Sequence, residues 1–222
     1  MRLTTILFTL TLLCRLLPEA SAAEPVRPNV VFFLSDDQRN DQLQAPGNPH
    51  PILRMPTVER LARQGVRFEN TFVTTSICAA SRASILTGLH ERGHRYTFGT
   101  GPLAEEHIAR SYPALLKEAG YRTGLVGKLG VGLARGGADR MFDYLVSFDR
   151  PYFKKRQDGS RVHITNVARD KALEFLRAQD AERPFCLEVC FSAAHAEDSD
   201  KENHYPCAPE EEGLYDDLTM PL

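Results

Sequence analysis

The sequence predicts an α/β fold with a largely parallel central sheet. Two observations carry that reading. Short apolar runs alternate with amphipathic stretches, the order that parallel strands joined by helical crossovers require. The first such run, Asn29–Ser35 (NVVFFLS), is apolar without alternation, as suits a strand covered on both faces. Size and composition agree with one sizeable domain: 222 residues, 42% of them apolar, are enough to bury a core. A net charge of −2, from 27 basic and 29 acidic residues, excludes a general nucleic-acid binder, which needs a basic excess or stripe.

Residues 1–22 read as a secretory leader. Arg2 supplies the positive start, residues 3–13 are apolar, and Ala20-Ser21-Ala22 is a small-residue cleavage site. The apolar run is too short to span a bilayer, so a secreted or periplasmic location without a stable membrane anchor is expected. Residues 23–222 then form the folded portion. Residues 55–65 (MPTVERLARQG) suit a helix opened at Pro56-Thr57 and stopped by Gly65. Val66–Val73 suits a second strand. ASRASILTG, after Cys78, suits a short helix ended by Gly88. Ser111–Gly120 is a helix with Ser111 as cap, and Tyr121–Val126 a strand leading to Gly127-Lys128. Residues 165–178 form a helix capped by Thr165, with Ala168, Ala172, Phe175 and Leu176 on one face. Pro184–Phe191 is a strand leading to His195, and no further strand or helix is legible from Ala196 to Leu222.

Cys14 leaves with the leader, and Cys78, Cys186, Cys190 and Cys207 are too few for a disulfide scaffold. In a strand, Cys186 and Cys190 share one face, where buried thiols are the simplest reading.

In open parallel sheets, ligands sit outside the carboxyl ends of strands. Asp36-Asp37, Lys128 and His195 each follow such an end. Cys78 precedes a helix, whose first amides favour an anion, and Arg82 lies one turn on along the same face. Each residue alone has a commoner role: paired aspartates cap turns, a lone cysteine packs, a lysine among glycines is solvated, and a histidine satisfies a loop. Only their order and spacing together point to a site.

The stretch Cys78-Ala79-Ala80-Ser81-Arg82 followed by ASILTG resembles the signature of the type I sulfatases. NVVFFLSDDQ, MPTVERLARQGVRFENTF, YPALLKEAGYRTGLVGK and PFCLEVCFSAAHA resemble family segments in family order, so the resemblance covers residues 29–195. It implies the three-layer, alkaline-phosphatase-like sandwich and a sulfuric ester hydrolase, represented by its N-terminal part. It implies that a formylglycine-generating enzyme oxidises Cys78 to formylglycine, whose hydrate attacks sulfur, a case of covalent catalysis. It implies that Asp36, Asp37 and the group at Cys78 hold a divalent cation, Ca²⁺ or else Mg²⁺. It assigns Arg82 to the diol and anionic oxygens, Lys128 to sulfate, and His195 to the leaving oxygen. The partner it implies is a sulfated small molecule or carbohydrate.

Three departures stand beside it. Position 80 is Ala where the commonest motif has Pro. The histidine usual two residues after the lysine is Gly130, in GKLGVG. An Asp-Asn pair and a further lysine, expected well after His195, have no match in residues 196–222, where Asp198, Asp200, Asp216 and Asp217 read as solvated loop. Two other readings follow: a truncated, non-catalytic product, or a related phosphate or phosphonate ester hydrolase. The basic, aromatic stretch Arg92–Phe98 (RGHRYTF) is either a solvated loop or a wall for a sulfated sugar.

Overall fold

The computed structural model describes residues 27–42 and 53–219, so the leader read at 1–22 lies outside them. Its central sheet has four strands, all parallel. These are β1 (Val30–Leu34), β2 (Arg122–Gly127), β3 (Tyr144–Ser147) and β6 (Phe185–Cys190), in the order β1-β6-β2-β3. The last strand therefore enters between the first two. Its register sets Leu34, Cys190 and Gly127 side by side, so three strands end at one level. A small antiparallel pair, β4 (Phe153–Lys155) and β5 (Arg161–His163), lies outside the sheet.

Helices flank both faces. Along the chain they are α1 (Pro56–Gln64), α2 (Cys78–Thr87), α3 (Glu91–His94), α4 (Glu105–Ala109), α5 (Tyr112–Glu118), α6 (Gly137–Met141) and α7 (Ile164–Arg177). One core joins Leu125 and Cys190 of the sheet to Ala83 and Leu86 of α2, Ile108 of α4, Ala114 of α5 and Met141 of α6. The other joins Val126, Leu187 and Val189 to Ala168, Ala172 and Phe175 of α7. Leu125 and Val126 are neighbours yet serve opposite cores, because side chains alternate across a strand. The three layers predicted from the sequence are present.

Several local expectations are corrected. Val66–Val73 is irregular, and Val66, Phe68, Phe72 and Val73 are all exposed. Its apolar alternation has no described strand to pair with, and a strand without a neighbour leaves its amides unbonded. β1 is covered less than an unbroken apolar run implies, with Phe33 60% exposed, because among the described residues it pairs only with β6. The cap of α7 is His163, whose ring accepts from the Thr165 amide at 3.4 Å; Thr165 is already inside the helix. Ser111 does occupy the N-cap of α5, but its hydroxyl donates backwards to the Ile108 carbonyl at 2.7 Å. After Ala196 the described chain holds only a single 3₁₀ turn, Pro209–Glu211. Among the described residues, no helix is long and apolar enough to cross a membrane.

Candidate active site

The site grows from the level ends of β1, β2 and β6. Past Leu34, the Asp36 amide donates to the Ala193 carbonyl at 2.9 Å, tying the aspartate pair to the loop after β6. Gly127 ends β2 with φ +99°, and a Cβ there would lie 2.0 Å from the Cys190 carbonyl oxygen. Only glycine lets the two backbones approach so closely, and the approach lets the Lys128 amide donate to that carbonyl at 2.8 Å. The lysine is thereby turned across the strand ends.

Cys78 is the first residue of α2, and no side chain caps the helix start. It shares a cavity of about 320 Å³ with Asp36, Asp37, Ser76, Ser81 and Arg82. The free first-turn amides and the helix dipole make that corner receptive to an anion. Arg82, 4% exposed, is held by the Lys128 carbonyl at 2.6 Å and lies 3.6 Å from Asp36 Oδ2. Lys128 Nζ lies 2.7 Å from the same oxygen and 3.5 Å from Asp149 Oδ2. His195 Nε2 lies 3.7 Å from Asp37 Oδ2, and its Nδ1 is 2.8 Å from the Ala196 carbonyl. A carbonyl only accepts, so Nδ1 carries the hydrogen and Nε2 is left facing the site.

All six residues singled out in the sequence thus converge. Four line one cavity; Lys128 joins through Asp36, and His195 through Asp37. Asp149 was missed. It follows β3, whose short YLVS run was not read as a strand, although strand-then-aspartate is the signal that located Asp36. Burial opposes its charge, yet the Arg150 amide, the Ser192 hydroxyl at 2.8 Å and Lys128 together hold its carboxyl below the usual range.

A divalent cation is the group the sequence resemblance implies here. The donors fit it in kind. Asp36 Oδ2 is buried and has no hydrogen-bond partner of good geometry, although two cations stand near it. A buried carboxylate oxygen held by ion pairs alone, beside a second carboxylate, suits a hard cation. The donors fit only in part in number: among the described residues, no group of three or more His, Cys, Asp or Glu side chains could hold a metal.

Gly130 has φ +66°, and a Cβ there would lie 2.6 Å from Arg82 Cδ. In this chain the guanidinium stem fills the space beside position 130.

A sequence profile described as Sulfatase matches residues 28–214. The N-acetylglucosamine-6-O-sulfatase of Bacteroides thetaiotaomicron is 28% identical over 96% of this chain and 38% of its own length. The N-sulphoglucosamine sulphohydrolase of Homo sapiens is 33% identical over 75% of this chain and 32% of its own. A solved structure of a protein in complex with its substrate D-glucosamine-2-N,6-O-disulfate superposes with a TM-score of 0.70 at 26% identity. That match covers 88% of this chain and 39% of the other. The chain spans well under half the length of these relatives.

Proposed function

The chain belongs to the sulfatase family, with its alkaline-phosphatase-like fold, and from that premise we propose that the cleft at the strand ends serves sulfate-ester hydrolysis on a carbohydrate. One observation carries the reading: Cys78 opens a helix inside a cavity shared with Arg82, Asp36 and Asp37. A nucleophile, a fixed cation and two metal-type carboxylates meet where a tetrahedral anion fits. The three relatives described above are named for sulfated sugars, which favours a carbohydrate over an unrelated ester.

Formylglycine, if a generating enzyme makes it from Cys78, would supply as its hydrate a nucleophilic oxygen at the start of α2 and a second hydroxyl for the release of sulfate. Asp36 and Asp37 would hold a Ca²⁺ or Mg²⁺ ion, which would supply positive charge to polarise the sulfuryl oxygens. The remaining work belongs to the chain's own side chains. Arg82, pinned by the Lys128 carbonyl, meets anionic oxygens without reorganising. Lys128, itself buried, is a point charge that Asp36 and Asp149 hold beside the cleft until an anion competes for it. His195 keeps a hydrogen on Nδ1 against the Ala196 carbonyl, so in its imidazolium form the second proton, on Nε2, would face the leaving alcohol oxygen. The leader at residues 1–22 would carry the chain to the secretory or periplasmic space, where such sugars are met.

The test is sulfate release from a model aryl sulfate, with the protein co-expressed with a formylglycine-generating enzyme and supplied with Ca²⁺. Release is expected with Cys78 intact and lost in Cys78→Ala. Equal release by both proteins would sink the reading, as would mass spectrometry finding Cys78 unmodified in a protein that turns over.

A further inference from the structure

The cleft around Cys78 continues past its own rim. Ser76 and Ile77 wall the site cavity. Thr74 and Thr75, the two residues before them, wall a second concavity of about 640 Å³. One short stretch of backbone therefore borders both. The far wall of the second concavity is basic: His90, Arg92 and Arg95 face it together with Thr97 and Thr100, and Glu91 is its one acid. Among the described residues, no carboxylate lies within 4.0 Å of the Arg92 or Arg95 guanidinium. Arg92 lies within α3 and Arg95 is its left-handed C-cap, φ +56°, so both guanidiniums border the one concavity, where like charges repel unless an anion stands between them.

The arginines ride on a fixed support. His94, between them, is 3% exposed and uses both ring nitrogens. Its Nδ1 accepts from the Tyr96 amide at 3.1 Å, so Nε2 carries the hydrogen toward Ser84 Oγ of α2 at 3.0 Å. The Tyr96 hydroxyl accepts from the Gly132 amide at 2.7 Å, tying the same segment to the loop after Lys128. The Thr100 hydroxyl donates to the Thr97 carbonyl at 2.7 Å and closes the turn beyond. Segment 90–100 is thus joined both to the helix that carries Cys78 and to the loop that carries Lys128. An anion seated there stands at a set place relative to both.

We infer that this concavity is a second anion subsite, which takes a sulfate or carboxylate group of the same carbohydrate whose ester is cleaved at Cys78. The inference rests on the sulfatase reading and narrows it: the preferred substrate carries at least two anionic groups. Guanidinium forks meet sulfate or carboxylate oxygens in pairs, and the threonine hydroxyls serve the sugar between.

The test compares the full chain with Arg92→Gln, Arg95→Gln on three probes: a model aryl sulfate, a monosulfated disaccharide and a disulfated disaccharide. The double variant is expected to raise KM about tenfold or more on the disulfated probe alone, since losing charge-assisted bonds is felt at that scale. Its kcat, and both parameters on the aryl sulfate, should not move. Equal KM changes on the mono- and disulfated probes would overturn the inference while leaving the sulfatase reading intact. A wild-type chain inert on the aryl sulfate would count against the sulfatase reading, and the subsite is then judged by calorimetry on Cys78→Ala. There the disulfated probe should bind about tenfold tighter than the monosulfated one at low salt, with the gap closing as salt is raised. If the double variant does not fold, the same calorimetric comparison decides, and no preference for the disulfated probe refutes the subsite.

Discussion

The two faces of β6 are built from the same strand and carry opposite chemistries. Toward α7, Leu187 and Val189 pack on Ala168, Ala172 and Phe175, all of them buried and apolar. Toward α2, Cys186 and Cys190 flank Glu188, which is 3% exposed and borders the same small void as Arg82, Leu86 and Leu125. Burial pushes the Glu188 carboxyl up to about 7, against the Tyr112 hydroxyl and the Arg82 charge, which favour its ionised form. Burial, and then Glu188 itself, push the Cys190 thiol up to about 12. One face is made for packing. The other bears a buried acid behind the arginine of the cleft, and buried acids cost stability unless something repays them. The contrast teaches that one face of the sheet is packing alone, whereas the other combines a hydrophobic core with a buried acid behind the candidate site.

The largest effect is expected on the packing side of β6. Phe175 is fully buried, and a Cβ at Gly124 would lie only 2.7 Å from its ring, so the fit is tight. Phe175→Ala should cost about 3–5 kcal/mol, read as a fall in the urea midpoint. A loss near zero would mean that this core does not hold the fold.

The acid face should respond with the opposite sign. Glu188 has a raised pKa in the folded chain, so unfolding releases a proton between the ordinary value of 4.5 and about 7. Its protonated form is compatible with burial at low pH, and stability is lost as pH rises through that window. Glu188→Gln should therefore stabilise by about 3 kcal/mol at pH 8 and by almost nothing at pH 4. A gain independent of pH would show that the carboxyl is not the cause.

Gly130 tests how the arginine is seated. Gly130→Ala meets both a left-handed backbone and the Arg82 side chain, and should cost about 1–3 kcal/mol. The same change should weaken anion binding at the cleft, measured by sulfate titration, since Arg82 must shift. Unaltered sulfate affinity would show that the arginine does not depend on that space.

The smallest expected effect is one of pH alone. Burial holds the His94 pKa below its ordinary value, so the unfolded chain takes a proton that the folded chain refuses. Its contribution is present above pH 6.5 and is lost as pH falls below it, the reverse of Glu188. Urea unfolding in the Glu188→Gln background should show stability falling from pH 7 to pH 5.5, and His94→Gln should flatten that slope. A slope unchanged by His94→Gln would assign it to another group.

Much of the frame was legible in the residues. β2 and β6 read as strands because their apolar runs are dense enough to mark burial on both sides, and α2 is bounded by Cys78 and the left-handed Gly88. β3 was not legible: a four-residue strand offers too few alternations to stand out. Val66–Val73 shows the converse error. Its pattern states a preference, but hydrogen bonds to a neighbour decide whether a strand exists.

Sequence order alone placed Asp36, Lys128 and His195 after strands and set Cys78 and Arg82 one turn apart, since parallel topology sends strand ends to one edge. Only the tertiary structure decided how they meet. Inserting β6 between β1 and β2 levels three strand ends, lets Lys128 and Arg82 converge on one Asp36 oxygen, and brings Asp149 in from a strand that the sequence did not announce. It also set an acid behind the arginine and a second basic concavity beside the first. Local pattern depends on neighbours along the chain. Charge pairing and cavity walls depend on residues far apart in sequence, whose approach is fixed only when the sheet assembles.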